Sequence, residues 1–196
     1  MRARNAGATS AYLNAFTHER ARDSEDRSKS VHRGACTCAA IAGGGKLYTL
    51  DDLERGRAAT FDLVHDVIRG LGIDVPPRSM LDAARAVLTG AREVHLSLFE
   101  LFLTDKAGHA QDTGFARREV ARTERFLDAL TSIADPATDT IVVVSDHGNL
   151  DDLSTRGHTM APVPALAWGR GAAALVENWN SLEDIGEAVL AHALSQ

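Results

Sequence analysis

The chain predicts an α/β fold with a mainly parallel sheet, and three observations carry that reading. Short apolar runs alternate with helix-period segments. Two of those runs empty directly into loops bearing Asp and His. One run, Ile141-Val142-Val143-Val144, is apolar throughout, as a strand buried on both faces of a parallel sheet is. Such sheets place functional residues in the loops past the carboxyl ends of their strands. With 196 residues, 44% of them apolar, the chain is long enough to bury a core as one domain, residues 1–196.

Taken in order, residues 9–16 read as a short strand, and the polar run from His18 to Arg33 as an exposed loop. Gly43-Gly44-Gly45-Lys46 resembles a phosphate loop only briefly. Ala40 stands where the first glycine belongs and Leu47 where a Ser or Thr would hold magnesium, so a flexible turn is expected. A helical segment spans about 49–90. Phe61, Val64, Val67, Ile68 and Leu71 share one face of a helix, with Gly56 dividing it from an earlier one. Pro76-Pro77 breaks the pattern. Met80, Leu81, Ala84, Val87 and Leu88 then form a second amphipathic helix ending at Gly90.

A strand follows over 95–103. Next comes a helix from Thr113, with Val120, Thr123, Leu127, Leu130 and Ala134 along one side, closed by Asp135-Pro136. Strands over 140–144 and 163–168 complete the sheet. The last helix starts at a Ser181 cap with Asp184 three residues on, burying Ile185, Val189 and Leu190.

Composition excludes several classes of function. A net charge of -6 without a basic patch argues against nucleic-acid binding. Phosphorylated metabolites stay compatible, because a bound cation supplies positive charge locally. No stretch reaches the roughly 20 apolar residues of a membrane span. The N-terminus has no apolar segment of a secretory signal, so the cytoplasm is the expected location. Cys36 and Cys38 have neither zinc-finger nor redox spacing and are read as small packing side chains.

The chemistry concentrates in five residues. The 95–103 run empties into Thr104-Asp105-Lys106-Ala107-Gly108-His109, and the 141–144 run into Ser145-Asp146-His147-Gly148-Asn149, with Gly157-His158-Thr159 shortly after. Asp105 and His109 are four apart, a spacing that suits one face of a helical turn or a loop folded around an ion. Asp146 and His147 are neighbours, so they share a site only through the turn that Gly148 permits. Carboxylate oxygens mixed with imidazole nitrogens suit zinc, manganese or iron better than calcium. Arg156 and Lys106 flank the ligands as candidate phosphate contacts, and Asn149 and Asp112 are candidate supports for them. His18, His32, His65, His95 and His192 have no such company.

These motifs, together with Pro162-Val163-Pro164, resemble the alkaline phosphatase superfamily of two-metal enzymes, most nearly cofactor-independent phosphoglycerate mutase and smaller metalloenzyme-domain relatives. The resemblance implies a three-layer sandwich. Asp105, His109 and His158 would hold one ion and Asp146 and His147 the other, one or two Zn or Mn ions in all, with phosphoryl transfer to or from a small phosphorylated substrate between them. Members of that family open with a strand ending in Asp-Gly and then a Ser or Thr nucleophile. This sequence contains no Asp-Gly, and its Ser10–Phe16 segment looks like the strand after the nucleophile. The resemblance therefore implies an N-terminally truncated version of the fold. Thr9 and Ser10 are weak stand-ins for the nucleophile.

Two function classes follow: a phosphohydrolase or phosphomutase completed by another segment or chain, and a non-catalytic metal-binding or regulatory subunit. A mononuclear iron oxygenase shares the ligand types, but the α/β order and the extra Asp146-His147 pair argue against it. A missing strand would expose a sheet edge, so self-association or a partner chain is expected.

Overall fold

The computed structural model describes residues 2–26, 28–31, 34–177 and 179–195, so His32 and Arg33 lie outside the described residues. The chain is α/β, and it divides into two compact units, the first ending at Glu100 and the second running Leu101–Ser195. Among the described residues no helix is long and apolar enough to cross a membrane.

The first unit contains α1 (Arg2–Asn5), β1 (Ser10–Phe16), α2 (His18–Glu25), α3 (Ala35–Gly43), β2 (Lys46–Thr49), α4 (Leu50–Glu54), α5 (Asp66–Gly70), α6 (Met80–Ala91) and β3 (Leu96–Leu98). Its sheet is parallel, in the order β2-β1-β3. The central strand buries Ala11, Tyr12 and Leu13, as expected for a strand covered on both faces. The predicted strand over 95–103 shortens to Leu96–Leu98, and a side chain continues its ladder. Asn14 Nδ2 donates to the Glu100 carbonyl (2.8 Å), and the Glu100 N–H donates to Asn14 Oδ1 (2.7 Å). Tyr12 donates to the Glu100 carboxylate at 2.6 Å. Burial first, and then this bond, push the phenol's pKa well up.

Several local expectations change. Part of the run read as a loop is helix α2, because Thr17 Oγ1 accepts from the Arg20 N–H (3.2 Å) and starts a turn. Only Ala21 and Ser24 are buried on it, so no apolar period announced it. The face drawn from Phe61 to Leu71 is not one helix: Leu63 and His65 have positive φ, and helix begins only at Asp66. Asp62, fully buried, accepts from the Val67 N–H (2.7 Å) and the Ile68 N–H (3.1 Å), so a side chain closes the turn there. Leu71 is left 70% exposed. The helix read as ending at Gly90 runs one residue further. Gly90 packs on the Arg57 carbonyl, where a β-carbon has no room. Ser79 caps that helix, accepting from the Asp82 N–H (3.1 Å).

The second unit contains α7 (Leu103–Ala110), α8 (Thr113–Ile133), β4 (Thr140–Val144), β5 (Ala165–Gly169), α9 (Ala172–Val176) and α10 (Leu182–Leu194). The β-branched run forms β4, but it pairs antiparallel with β5, Ile141 opposite Trp168 and Val144 opposite Ala165. The long loop between them lets the chain return beside itself. On α8 the buried face is Ala116, Glu119, Phe126 and Leu130. Leu130 is shared with the predicted stripe, while Val120 is 51% exposed. Ser181 caps α10, accepting from the Asp184 N–H (3.1 Å), and Ile185 is buried behind it.

Candidate metal centre

All five predicted ligands lie in the second unit. Helix α7 buries Leu103, Ala107 and Gly108, which turns Asp105 and His109 to one side, one helical turn apart. Asp105 Oδ1 is 3.3 Å from His109 Nε2. Beyond β4, Ser145 Oγ donates to the His147 carbonyl (2.9 Å) and shapes the turn. Gly148 then forms an antiparallel bridge with Thr159, whose N–H donates to the Gly148 carbonyl at 2.9 Å. Thr159 Oγ1 also donates to the Asp151 carboxylate (2.7 Å). This closure brings together the residues before each bridge partner. The rings of His147 and His158 stack at 3.5 Å between centroids and 14° between planes.

Three imidazoles converge on one carboxylate oxygen. Asp105 Oδ1 lies 3.3 Å from His109 Nε2, 3.4 Å from His158 Nε2 and 3.9 Å from His147 Nε2. The two nitrogens of His158 and His109 are 3.3 Å apart. Asp146 is 74% exposed and reaches the cluster only through His147, its Oδ1 3.6 Å from Nε2. The structure thus brings Asp105, His109, His147 and His158 together and leaves Asp146 at the rim.

The donor set fits a cation. His109 Nδ1 is 2.6 Å from the Arg156 carbonyl oxygen, which only accepts, so Nδ1 carries a proton, and in the neutral ring Nε2 is then the lone-pair nitrogen facing Asp105. Asp105 Oδ1 is buried with no hydrogen-bond partner among the described residues. A lone pair directed at an orphaned carboxylate oxygen is unfavourable unless a positive charge sits between them. One hard oxygen with imidazole nitrogens is a ligand set for a divalent metal ion. Ligating histidines characteristically donate their second ring N–H to a carbonyl or carboxylate, as His109 does to Arg156.

The lower-ranked candidates separate. Asn149 is 6% exposed, and both its amide atoms lack hydrogen-bond partners among the described residues. It packs directly on Gly108 of α7, between the two candidate ligands of that helix. Asp112 turns its carboxylate to the Phe115 N–H at 2.8 Å, capping α8. Lys106 lies over the Phe102 ring, 5.4 Å from its centroid. Arg156 donates through Nε to Gln111 Oε1 (3.0 Å). Gln111 and Asp151 went unnoticed in the sequence, and neither carries a spacing signal that would have found it; Thr159 was read only as part of the Gly157-His158-Thr159 motif. In the first unit Thr9 Oγ1 is bonded to His95 Nδ1 (2.7 Å), and the Thr9 N–H also donates there (3.1 Å). Ser10 Oγ packs against Gly45.

Comparison with known proteins agrees with this chemistry. The profile of the Metalloenzyme superfamily matches residues 68–195, which include every residue of the cluster. A phosphopentomutase of Methylorubrum extorquens (strain PA1) is 31% identical over 154 residues, covering 73% of this chain and 37% of that protein. The chain therefore spans little more than a third of the length of the curated relative it matches. No solved structure matches it.

Proposed function

The chain belongs to the Metalloenzyme superfamily, and on that premise we propose that it carries the metal centre of a phosphoryl-transfer enzyme, mutase-like, acting on a small phosphorylated sugar such as a pentose phosphate. The observation that supports it most is the convergence of imidazole nitrogens on the orphaned Asp105 Oδ1. Asp105, His109 and His158 would hold one divalent ion, and His147 with Asp146 would contribute to a second beside it. When bound, such ions supply Lewis-acid charge that neutralises phosphoryl oxygens.

The remaining work falls to the chain's own groups. The Arg156 carbonyl accepts from the His109 Nδ1–H and holds the ring with Nε2 toward Asp105. The Gly148–Thr159 bridge holds His147 and His158 in register. Lys106 and Arg156, both exposed, flank the centre on a protein of net charge -6, so they are the local cations for a phosphate dianion. The 31% identical phosphopentomutase motivates the sugar phosphate as substrate.

The test is turnover of pentose phosphates and of a generic phosphomonoester, followed by ³¹P NMR, with chain stripped by chelator and reloaded with Mn²⁺ or Zn²⁺. Metal-dependent conversion that disappears in Asp105→Asn is the expected result. Metal binding without turnover on any ester would turn the assignment to the non-catalytic metal-binding reading. Failure of the wild-type chain to bind either ion would overturn both.

A further inference from the structure

We propose that Gln111 is a positioning residue for this centre: its amide ties the loop that carries His158 to the end of α7, and through that loop it sets the orientation of His109. The inference rests on the reading of Asp105, His109 and His158 as metal ligands.

Gln111 occupies the C-cap of α7 with φ +55°, in the left-handed region. Glycine takes that position without steric cost and is the usual residue there, so a long side chain is a departure from the backbone's preference. Both ends of the side chain are used. Nε2 donates to the Leu153 carbonyl at 3.1 Å, and Oε1 accepts from Arg156 Nε at 3.0 Å. The orientation of the amide follows from its partners, since a carbonyl only accepts and a guanidinium only donates.

The two contacts fall on the stretch between Asn149 and His158, which contains neither helix nor strand. From there the bonds lead back to α7, because the Arg156 carbonyl receives the His109 Nδ1–H at 2.6 Å. The result is a closed circuit: Gln111 to Arg156, Arg156 to His109, and His109 along α7 to Gln111. His158 follows Arg156 by two residues, so whatever holds Arg156 also places the second imidazole. Without the amide, the loop would keep the Arg156–His109 bond but lose the anchors that aim it. Groups of this kind, one bond removed from a metal, change affinity without touching the ion.

The variants Gln111→Gly and Gln111→Asn test this, because both residues accept the left-handed backbone and neither spans to both Leu153 and Arg156. Full-length metal-free protein is titrated with Zn²⁺ against a chromophoric competitor and with Co²⁺ by visible absorption, and its thermal unfolding is recorded, with His158→Ala measured alongside. The expected result is a Zn²⁺ affinity lowered about 10- to 100-fold in both Gln111 variants. An altered Co²⁺ spectrum should accompany it, while the metal-free Tm of Gln111→Gly stays at or above that of the wild type. If His158→Ala loses affinity and the Gln111 variants do not, the positioning role is wrong and the metal centre stands. If none of the three loses affinity, the metal reading itself fails, and this inference with it. A Gln111→Gly protein whose metal-free Tm falls steeply, with unchanged affinity in its folded fraction, would make Gln111 a stability element only and overturn the proposal.

Discussion

Gly108 and Asn149 meet at backbone-to-side-chain contact, so close that a β-carbon on Gly108 would fall on the Asn149 carboxamide. Gly108 sits on α7 between Asp105 and His109, and Asn149 ends the turn that carries Asp146 and His147. The missing side chain is what lets the helix and the turn approach. Gly108→Ala gains helix propensity of about 1 kcal/mol, but overpacking at a buried contact costs about 1–3 kcal/mol. The expected outcome is a lower metal-free Tm together with at least about tenfold weaker Zn²⁺ binding. Gly186→Ala, in α10 with nothing within 4 Å of an added β-carbon, serves as contrast. It should raise stability by about 0.5–1 kcal/mol and leave Zn²⁺ affinity alone. Equal behaviour of the two variants would sink the close-approach argument.

Asp105→Asn keeps the shape of the side chain and removes the charge. Its Zn²⁺ affinity should fall by more than about 100-fold, beyond what groups outside the ligand set cost. Metal-free stability should not fall, because the wild-type carboxylate oxygen is buried without a hydrogen-bond donor. Thermal melts with and without chelator separate the two effects. At free Zn²⁺ about 100 times Kd, the wild type should gain about 2.7 kcal/mol, and Asp105→Asn almost none. A wild-type Tm indifferent to chelator would contradict this.

His65 in the first unit predicts an acid-side loss of stability independent of metal. It is 2% exposed, and its Nδ1 is 2.7 Å from the Pro76 carbonyl oxygen. Its Nε2 is buried without a hydrogen-bond partner among the described residues. Burial, reinforced by the charge of Arg78, outweighs the Pro76 bond and holds the imidazole below its ordinary value of 6.5. The unfolded chain therefore binds a proton in a window where the native chain does not. The contribution is complete above pH about 6.5 and is lost as pH falls through the folded-state pKa. Urea midpoints in chelator should drop across that window for the wild type and drop less for His65→Asn, a residue that tolerates the left-handed φ of +70°. Parallel pH profiles would refute the assignment.

Asp52 predicts a second acid dependence at lower pH. Its Oδ1 accepts from Lys46 Nζ (2.9 Å) and Arg57 Nη2 (2.6 Å), and its Oδ2 accepts from the Thr49 N–H (3.0 Å) as part of a capping box on α4. Burial, the largest influence, pulls its pKa up, but the Lys46 and Thr49 hydrogen bonds and the two positive charges together bring it below the ordinary carboxylate value of 3.8. The linked stability is present above that value and is lost as pH falls through the lower folded-state pKa. Asp52→Asn should lose about 1 kcal/mol or more near neutral pH through the weakened cap and should flatten the acid limb. Chemical denaturation at neutral pH and at about pH 3 decides it, and an unchanged acid limb would count against the assignment.

The metalloenzyme family and the α/β class were legible because both are written locally. An apolar run followed by Asp and His, repeated and then joined by Gly157-His158-Thr159, is a pattern in the chain itself, and the profile match over 68–195 agrees with it. The Ser181 cap was legible for the same reason, since a hydroxyl and the N–H it accepts from lie three residues apart. Helix α2 was not, because it buries only Ala21 and Ser24 and so shows no apolar period. The turn at Asp62 was not, because a buried carboxylate overrode a helical spacing that Phe61, Val64 and Ile68 genuinely display.

By itself the sequence determined the fold class, the family and the residue types of the candidate centre, all set by local order and side-chain chemistry. Only the tertiary structure decided that β4 pairs antiparallel with β5, that the His147 and His158 rings stack, that Asp146 stands at the rim, and that Gln111 and Asn149 contact the elements carrying the candidate ligands. These are contacts between residues distant in the chain, chosen by backbone pairing, close approach and hydrogen-bond complementarity. Spacing along a sequence records none of them.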